Sequence, residues 1–209
     1  MVEGDAAPDG ALLPEVFEAI GTARAMRWFR PDPVPVSLVE RVVWAGTRAS
    51  SPNNCQPWDF VVVRDPELRA RIGALFAPLT SPGAIDAITD PTERRTVEGA
   101  MNLLGTLADV PVLIFVCGRN IYPPHDPDER LMYSALYAAS QNMIVAARAL
   151  GLGAAFTTFH RINEPDIRTL LQIPDDRSIA VTLPLGWPAR AFGPLTRRPV
   201  EEVLHIDRW

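Results

Sequence analysis

Residues Pro111–Cys117 read PVLIFVC, a continuous apolar run of strand length with no polar face. A strand of that kind belongs in the middle of a sheet, because both of its faces have to be covered. Trp58–Arg64 and Ser178–Gly186 are two further strand candidates, and helical patterns fall between them. Asp65-Pro66-Glu67 opens a helix whose apolar positions Leu68, Ile72 and Leu75 run to Phe76. Asp90-Pro91 opens another, through about Leu107. Asp126-Pro127-Asp128-Glu129 starts the longest, to about Leu150, with Tyr133, Leu136, Tyr137, Ser140, Ile144 and Ala147 on one face and Gly151 and Gly153 as terminators. Interleaved helices and strands, with no repeat and no linker between two cores, give an α+β or α/β class with a helix-covered sheet.

The remaining elements are shorter. Ser37–Arg48 is expected to be a helix with Ser37 and Glu40 as a capping box and Leu38, Val42 and Ala45 at helical spacing. Pro14–Ile20 and Glu164–Leu171 are short helix candidates, and Ala154–Phe159 is a strand candidate. Residues 77–91 suggest an irregular excursion, and the tail after Pro188 an extended segment. Residues 1–13 are expected to be a flexible acidic leader, with 14–209 as a single domain.

Composition narrows the function. A chain of 209 residues with 47% hydrophobic content buries about 70% of its unfolded surface, enough for one sizeable core. All 20 basic residues are arginine. A Schiff-base lysine, a Walker-A lysine and a kinase-type lysine are therefore excluded, and any bound anion must be held by Arg, backbone N–H or hydroxyl groups. A net charge of −5 without a basic run argues against a nucleic-acid partner. The most apolar long stretch, Asn142–His160, contains Arg148 and two glycines, so no membrane span is expected. The start lacks an apolar core, so no signal peptide is expected and the location is cytoplasmic. Cys55 and Cys117 make neither a disulfide scaffold nor a zinc cluster, and the spacing of His125, His160 and His205 suggests no metal site.

Three segments carry polar groups that a plain core does not need. Arg24-Ala25-Met26-Arg27-Trp28-Phe29-Arg30 concentrates guanidiniums, and Thr196-Arg197-Arg198-Pro199 does so near the other end. Ser50-Ser51-Pro52-Asn53-Asn54-Cys55-Gln56-Pro57 is a hydroxyl- and amide-rich loop. Together they make a cradle for a phosphorylated ligand. No GxGxxG follows a strand, so that ligand is not held by a Rossmann site.

ARAMRWFRPDPVP, SSPNNCQPWDFVVV, SQNMIVAARALGLGAAFTT, LPLGWP and RRPVEEVLH, in that order over about residues 20–205, resemble the FMN-dependent nitroreductase family. The resemblance implies an α+β fold: a central, mainly antiparallel sheet flanked by helices, in a domain-exchanged homodimer with FMN at the interface. It places Arg24 at the phosphate and ribityl chain, with Ala25 beside it, and Arg27 near N1/O2 of the ring as a redox-tuning residue. Ser50, Ser51, Pro52 and Asn54 fall where the family lines the flavin, usually from the partner subunit. Phe156, Thr157 and Thr158 fall on the strand whose backbone lies against the ring and donates to N5. Arg197 matches the C-terminal phosphate contact, with Arg198 as a second candidate. Ala23 and Ala25 depart from the family pattern, where Arg and Ser are frequent.

The activity implied is ping-pong transfer from NADH or NADPH through flavin N5 to a nitroaromatic, quinone or related small-molecule acceptor. The cofactor carries the reaction, so no protein nucleophile or base is needed. Reductive dehalogenation, flavin fragmentation and a non-catalytic flavin store or sensor are the alternatives. Trp28, Trp44 and Trp58 read as core or dimer-contact aromatics, and Gln56 as a loop-fixing amide. Tyr133 and Tyr137 read as packing groups, and His160 as a residue that could approach the substrate. Residues 77–91 and the Ile121–His125 loop are candidates for the substrate rim.

Overall fold

A computed structural model describes residues 15–80 and 82–209. The expected leader, residues 1–13, lies outside them. Six helices and four strands follow in the order α1 (Val16–Thr22), α2 (Val36–Gly46), β1 (Trp58–Val63), α3 (Pro66–Phe76), α4 (Pro91–Gly105), β2 (Val112–Gly118), α5 (Glu129–Ala149), β3 (Gly153–Ala154), α6 (Glu164–Leu171) and β4 (Ser178–Gly186). The strands form one sheet in the order β1-β2-β4-β3, antiparallel throughout. This is the α+β solution, and the apolar run sits in its centre.

β2 is buried along its whole length and serves two cores. Val112, Ile114 and Val116 face a cluster with Leu38 and Val42 of α2 and Leu136, Met143 and Ala147 of α5. Leu113, Phe115 and Cys117 face the other side, with Ile72 and Phe76 of α3 and Ile167 of α6. A period of two delivers alternate residues to opposite faces, so a strand with no polar position requires a helical layer on each.

Three helix starts follow their aspartates. The side chain of Asp65 accepts from the N–H of Glu67, Asp90 from Thr92 and Glu93, and Asp128 from Arg130. The capping box at Ser37 does not form. Pro35 occupies the N-cap of α2 with no side-chain hydrogen bond. Its ring fixes a φ suited to helix entry, so the helix begins at Val36 and Ser37 lies inside the first turn, where it caps nothing.

The strand expected over Ala154–Phe159 is reduced to Gly153–Ala154 and an isolated bridge, Thr157 to Thr182. The register stays constant, with Ala154 opposite Leu185 and Thr157 opposite Thr182. Thr157 and Thr182 exchange both backbone hydrogen bonds, 3.1 and 2.9 Å. The next such pair along an antiparallel ladder is two residues away, Ala155 with Pro184. Proline has no N–H to give, so the ladder breaks there.

Candidate functional site

The break matters because β3 is the edge of the sheet. With Thr157 turned toward β4, its neighbours Phe156 and Thr158 turn their N–H groups to the open edge. Neither N–H has a backbone partner among the described residues. Thr157 itself is fully engaged: its N–H and its Oγ1 both donate to the carbonyl of Thr182. Of the three residues expected to line the ring, two therefore present free backbone donors and one anchors them.

The first arginine segment runs along this edge. Met26 is buried, and its N–H donates to the Ala154 carbonyl at 2.9 Å. Gly153 is needed for that approach, since a Cβ there would lie 2.6 Å from Cγ of Met26. Asn102 of α4 donates to the Arg27 carbonyl at 2.8 Å. Arg30 N–H then donates to Trp187 and Ala189 N–H to Trp28. Anchored at Met26, the chain carries Arg24, Ala25 and Arg27 past β3.

Their charges are uncompensated. Burial, and after it the positive charge of Arg24, push the Arg27 guanidinium below its ordinary value. Arginine stays charged even so. Among the described residues neither Arg24 nor Arg27 has an ion-pair partner.

The C-terminal tail joins them. Leu195 N–H donates to the Gly21 carbonyl at 3.1 Å, and Gly193 lies against the Arg24 guanidinium. Arg197, two residues on, is exposed, and its Nη1 donates only to the adjacent Thr196 carbonyl. Arg198 is exposed beside it.

The Ser50–Pro57 loop is elsewhere. Asn53, Asn54 and Gln56 adopt left-handed backbone with φ of 49°, 52° and 46°, a region Asn tolerates well. Ser51 Oγ accepts from the Gln56 backbone N–H at 3.1 Å, a hydrogen bond that ties the two ends of the loop together. The loop leads into Trp58, which pairs with Gly118 and through it with Ser178. The arginine segment meets the other end of β4, near Leu185. Those ends are separated by roughly 23 Å of strand. Within one chain the strand that follows this loop therefore starts at the opposite end of β4 from the Met26 anchor of the arginine segment.

His160 does not reach a substrate. It is fully buried, with Nε2 3.1 Å from the Ile179 carbonyl and Nδ1 2.9 Å from Thr182 Oγ1. The carbonyl can only accept, so Nε2 carries the proton and Nδ1 accepts from the threonine hydroxyl. Burial pushes its pKa down, outweighing the opposing charge of Glu164. The Cys117 thiol, buried in the sheet, is pushed up to about 12, chiefly by burial, which makes it an inert core group. A cleft of about 640 Å³, which the sequence did not reveal, opens beside Thr158, with Tyr133, Tyr137 and Arg161 on its walls. Tyr137 is 44% exposed in the single chain, and its ring centroid lies 5.7 Å from that of Phe156.

This fold and edge have known counterparts. The chain matches the model of the nitroreductase family over residues 20–187, and it belongs to that family. It is 29% identical over 198 residues to a protein of Methanothermobacter thermautotrophicus described as an NADH dehydrogenase/NAD(P)H nitroreductase, covering 93% of this chain and 88% of that one. It is 26% identical to an iodotyrosine deiodinase of Nematostella vectensis, covering 91% and 74%. A solved structure described as a nitroreductase in complex with FMN, from Desulfovibrio desulfuricans, superposes with a TM-score of 0.68 at 25% identity, covering 95% of this chain and 99% of that one. Arg197 and Arg198 lie beyond the matched stretch, in a tail whose Gly193 and Leu195 meet Arg24 and Gly21.

Proposed function

We propose that the protein is a homodimeric, FMN-dependent NAD(P)H oxidoreductase that reduces a small-molecule acceptor such as a nitroaromatic or a quinone. One observation carries this reading: two guanidiniums without a counter-ion, Arg24 and Arg27, lie along a sheet edge where Phe156 and Thr158 hold free N–H donors. These groups fit FMN, which pairs an anionic phosphate with a ring rich in acceptor atoms. When bound, FMN supplies the two-electron chemistry between NAD(P)H and the acceptor. Arg24 and Arg197, with Arg198 in reserve, bind the phosphate at about 1.5–3 kcal/mol per charge-assisted contact. Arg27 stabilises negative charge at the N1/O2 side of the ring. The N–H of Thr158 or Phe156 donates to N5, and Thr157 fixes both in place.

Ser50, Ser51, Pro52 and Asn54 complete the site from a second copy of the chain, a reading supported by the family resemblance and by the start of β1 lying at the Ser178 end of the sheet while Met26 joins β3 level with Leu185. Ala25 adds no side-chain contact and leaves the phosphate to the arginines. The cleft beside Thr158 gives the acceptor a berth walled by Tyr133 and Tyr137 and by charged side chains such as Arg161, Glu164 and Arg177. Cytoplasmic residence belongs to the same reading, with Cys55 and Cys117 as free thiols. No helix of the described residues is long and apolar enough to cross a membrane.

The visible spectrum of the purified protein tests this. The expected result is flavin absorbance that bleaches anaerobically with NADH or NADPH and returns when a quinone is added. A colourless protein that takes up no added FMN would overturn the reading.

A further inference from the structure

Arg148 sits in the last turn of α5 with its side chain only 15% exposed, and it touches two segments that arrive from opposite ends of the chain. In the plane of its guanidinium, Nε donates to Thr22 Oγ1 at 2.8 Å and Nη2 to Glu18 Oε1 at 3.2 Å. Both acceptors belong to α1. The face of the same group lies 4.3 Å from the ring centroid of Phe192 in the tail. Thr22 is two residues before Arg24, and its carbonyl accepts from Arg24 N–H at 2.8 Å. Phe192 precedes Gly193, which lies against the Arg24 guanidinium, and Leu195, which is bonded to Gly21. One side chain therefore docks both arginine-bearing segments onto the end of the longest helix.

We propose that Arg148 is a positioning residue for the phosphate end of the cofactor site, setting Arg24 and Arg197 at a fixed separation without touching the cofactor. The inference rests on the FMN reading above. It requires a planar fork that donates in its plane while stacking on its face, which an ammonium group cannot do. It also explains how a site can tolerate alanine at positions 23 and 25: the phosphate contacts are fixed from behind.

The test compares affinities for FMN and for riboflavin, which has the same ring and no phosphate. Arg148→Ala is expected to weaken FMN binding by about 10-fold or more, the loss of roughly one charge-assisted contact, while riboflavin affinity changes less than about 2-fold. Arg148→Lys is expected to restore little. Phe192→Ala, which keeps the α1 contacts and removes only the tail's platform, is expected to show the same selectivity, and it decides the matter if Arg148→Ala fails to fold. Equal weakening of both ligands, or unchanged FMN affinity, would overturn the inference. A wild-type chain that binds neither ligand would instead overturn the FMN reading itself.

Discussion

Arg27 is half-buried, feels the positive charge of Arg24 and has no ion-pair partner among the described residues. The tail arginine offers the cleaner measurement, because Arg197 is exposed and, among the described residues, its side chain bonds only to the adjacent Thr196 carbonyl. Arg197→Ala is expected to weaken FMN binding by roughly 10–150-fold, as one phosphate contact of 1.5–3 kcal/mol is lost. An unchanged dissociation constant, read by fluorescence titration, would remove Arg197 from the site. His160 sets a pH dependence of stability. Its folded pKa lies below the ordinary value near 6.5, so the unfolded chain binds the proton first as pH falls. Stability from this group is complete above about pH 6.5 and declines below it, by up to about 1.4 kcal/mol per pH unit, until the folded pKa is passed. Thermal melts between pH 5 and 8 should show that slope, flattened in His160→Gln. Parallel slopes for both proteins would contradict the assignment. The arginines were legible because three in seven residues stand out in any chain. The burial of His160 was not, because it depends on Thr182 and Ile179, about 20 residues away in sequence.

Elements followed the sequence where a local signal had no competitor. Asp65, Asp90 and Asp128 cap the helices expected of them. At α2 the signal was contested, and Pro35 displaced the Ser37 box by starting the helix one residue early. The strand after α5 failed for a reason remote from itself: Pro184 withholds a donor across the sheet, which no reading of Ala154–Phe159 alone could reveal. The N–H groups of Phe156 and Thr158 face outward for another reason, because Thr157 turns to β4 at the edge of the sheet. Close packing of α5 on the sheet gives a further prediction. A Cβ at Gly118 would meet Leu136 Cδ1 at 2.6 Å in a fully buried setting. Gly118→Ala should cost about 1–3 kcal/mol of stability through overpacking, a fall of roughly 2–4 °C in Tm per kcal/mol. A melting temperature at or above wild type would show that Leu136 relaxes freely.

At the scale of the whole molecule, the sheet and its two helical layers were legible from one apolar run, while the proposed sharing of the site between two copies came only from the family resemblance. Register puts Trp58, at the end of the Ser50–Pro57 loop, at the Ser178 end of β4, and Ala154, which Met26 joins, opposite Leu185. The apolar side chains exposed on α1 and in the tail, Phe17 at 83%, Ile206 at 77% and a fully exposed Trp209, are suited to burial against a second copy. Subunit complementation tests the shared site most directly. One variant carries Arg24→Ala with Arg27→Ala, the other carries Ser50→Trp, and each alone should purify with little FMN. Heterodimers of the two contain one site with both defects and one with neither, so they should recover half the wild-type flavin per dimer. If mixing restores no flavin, both halves of the site belong to the same chain and the account is wrong.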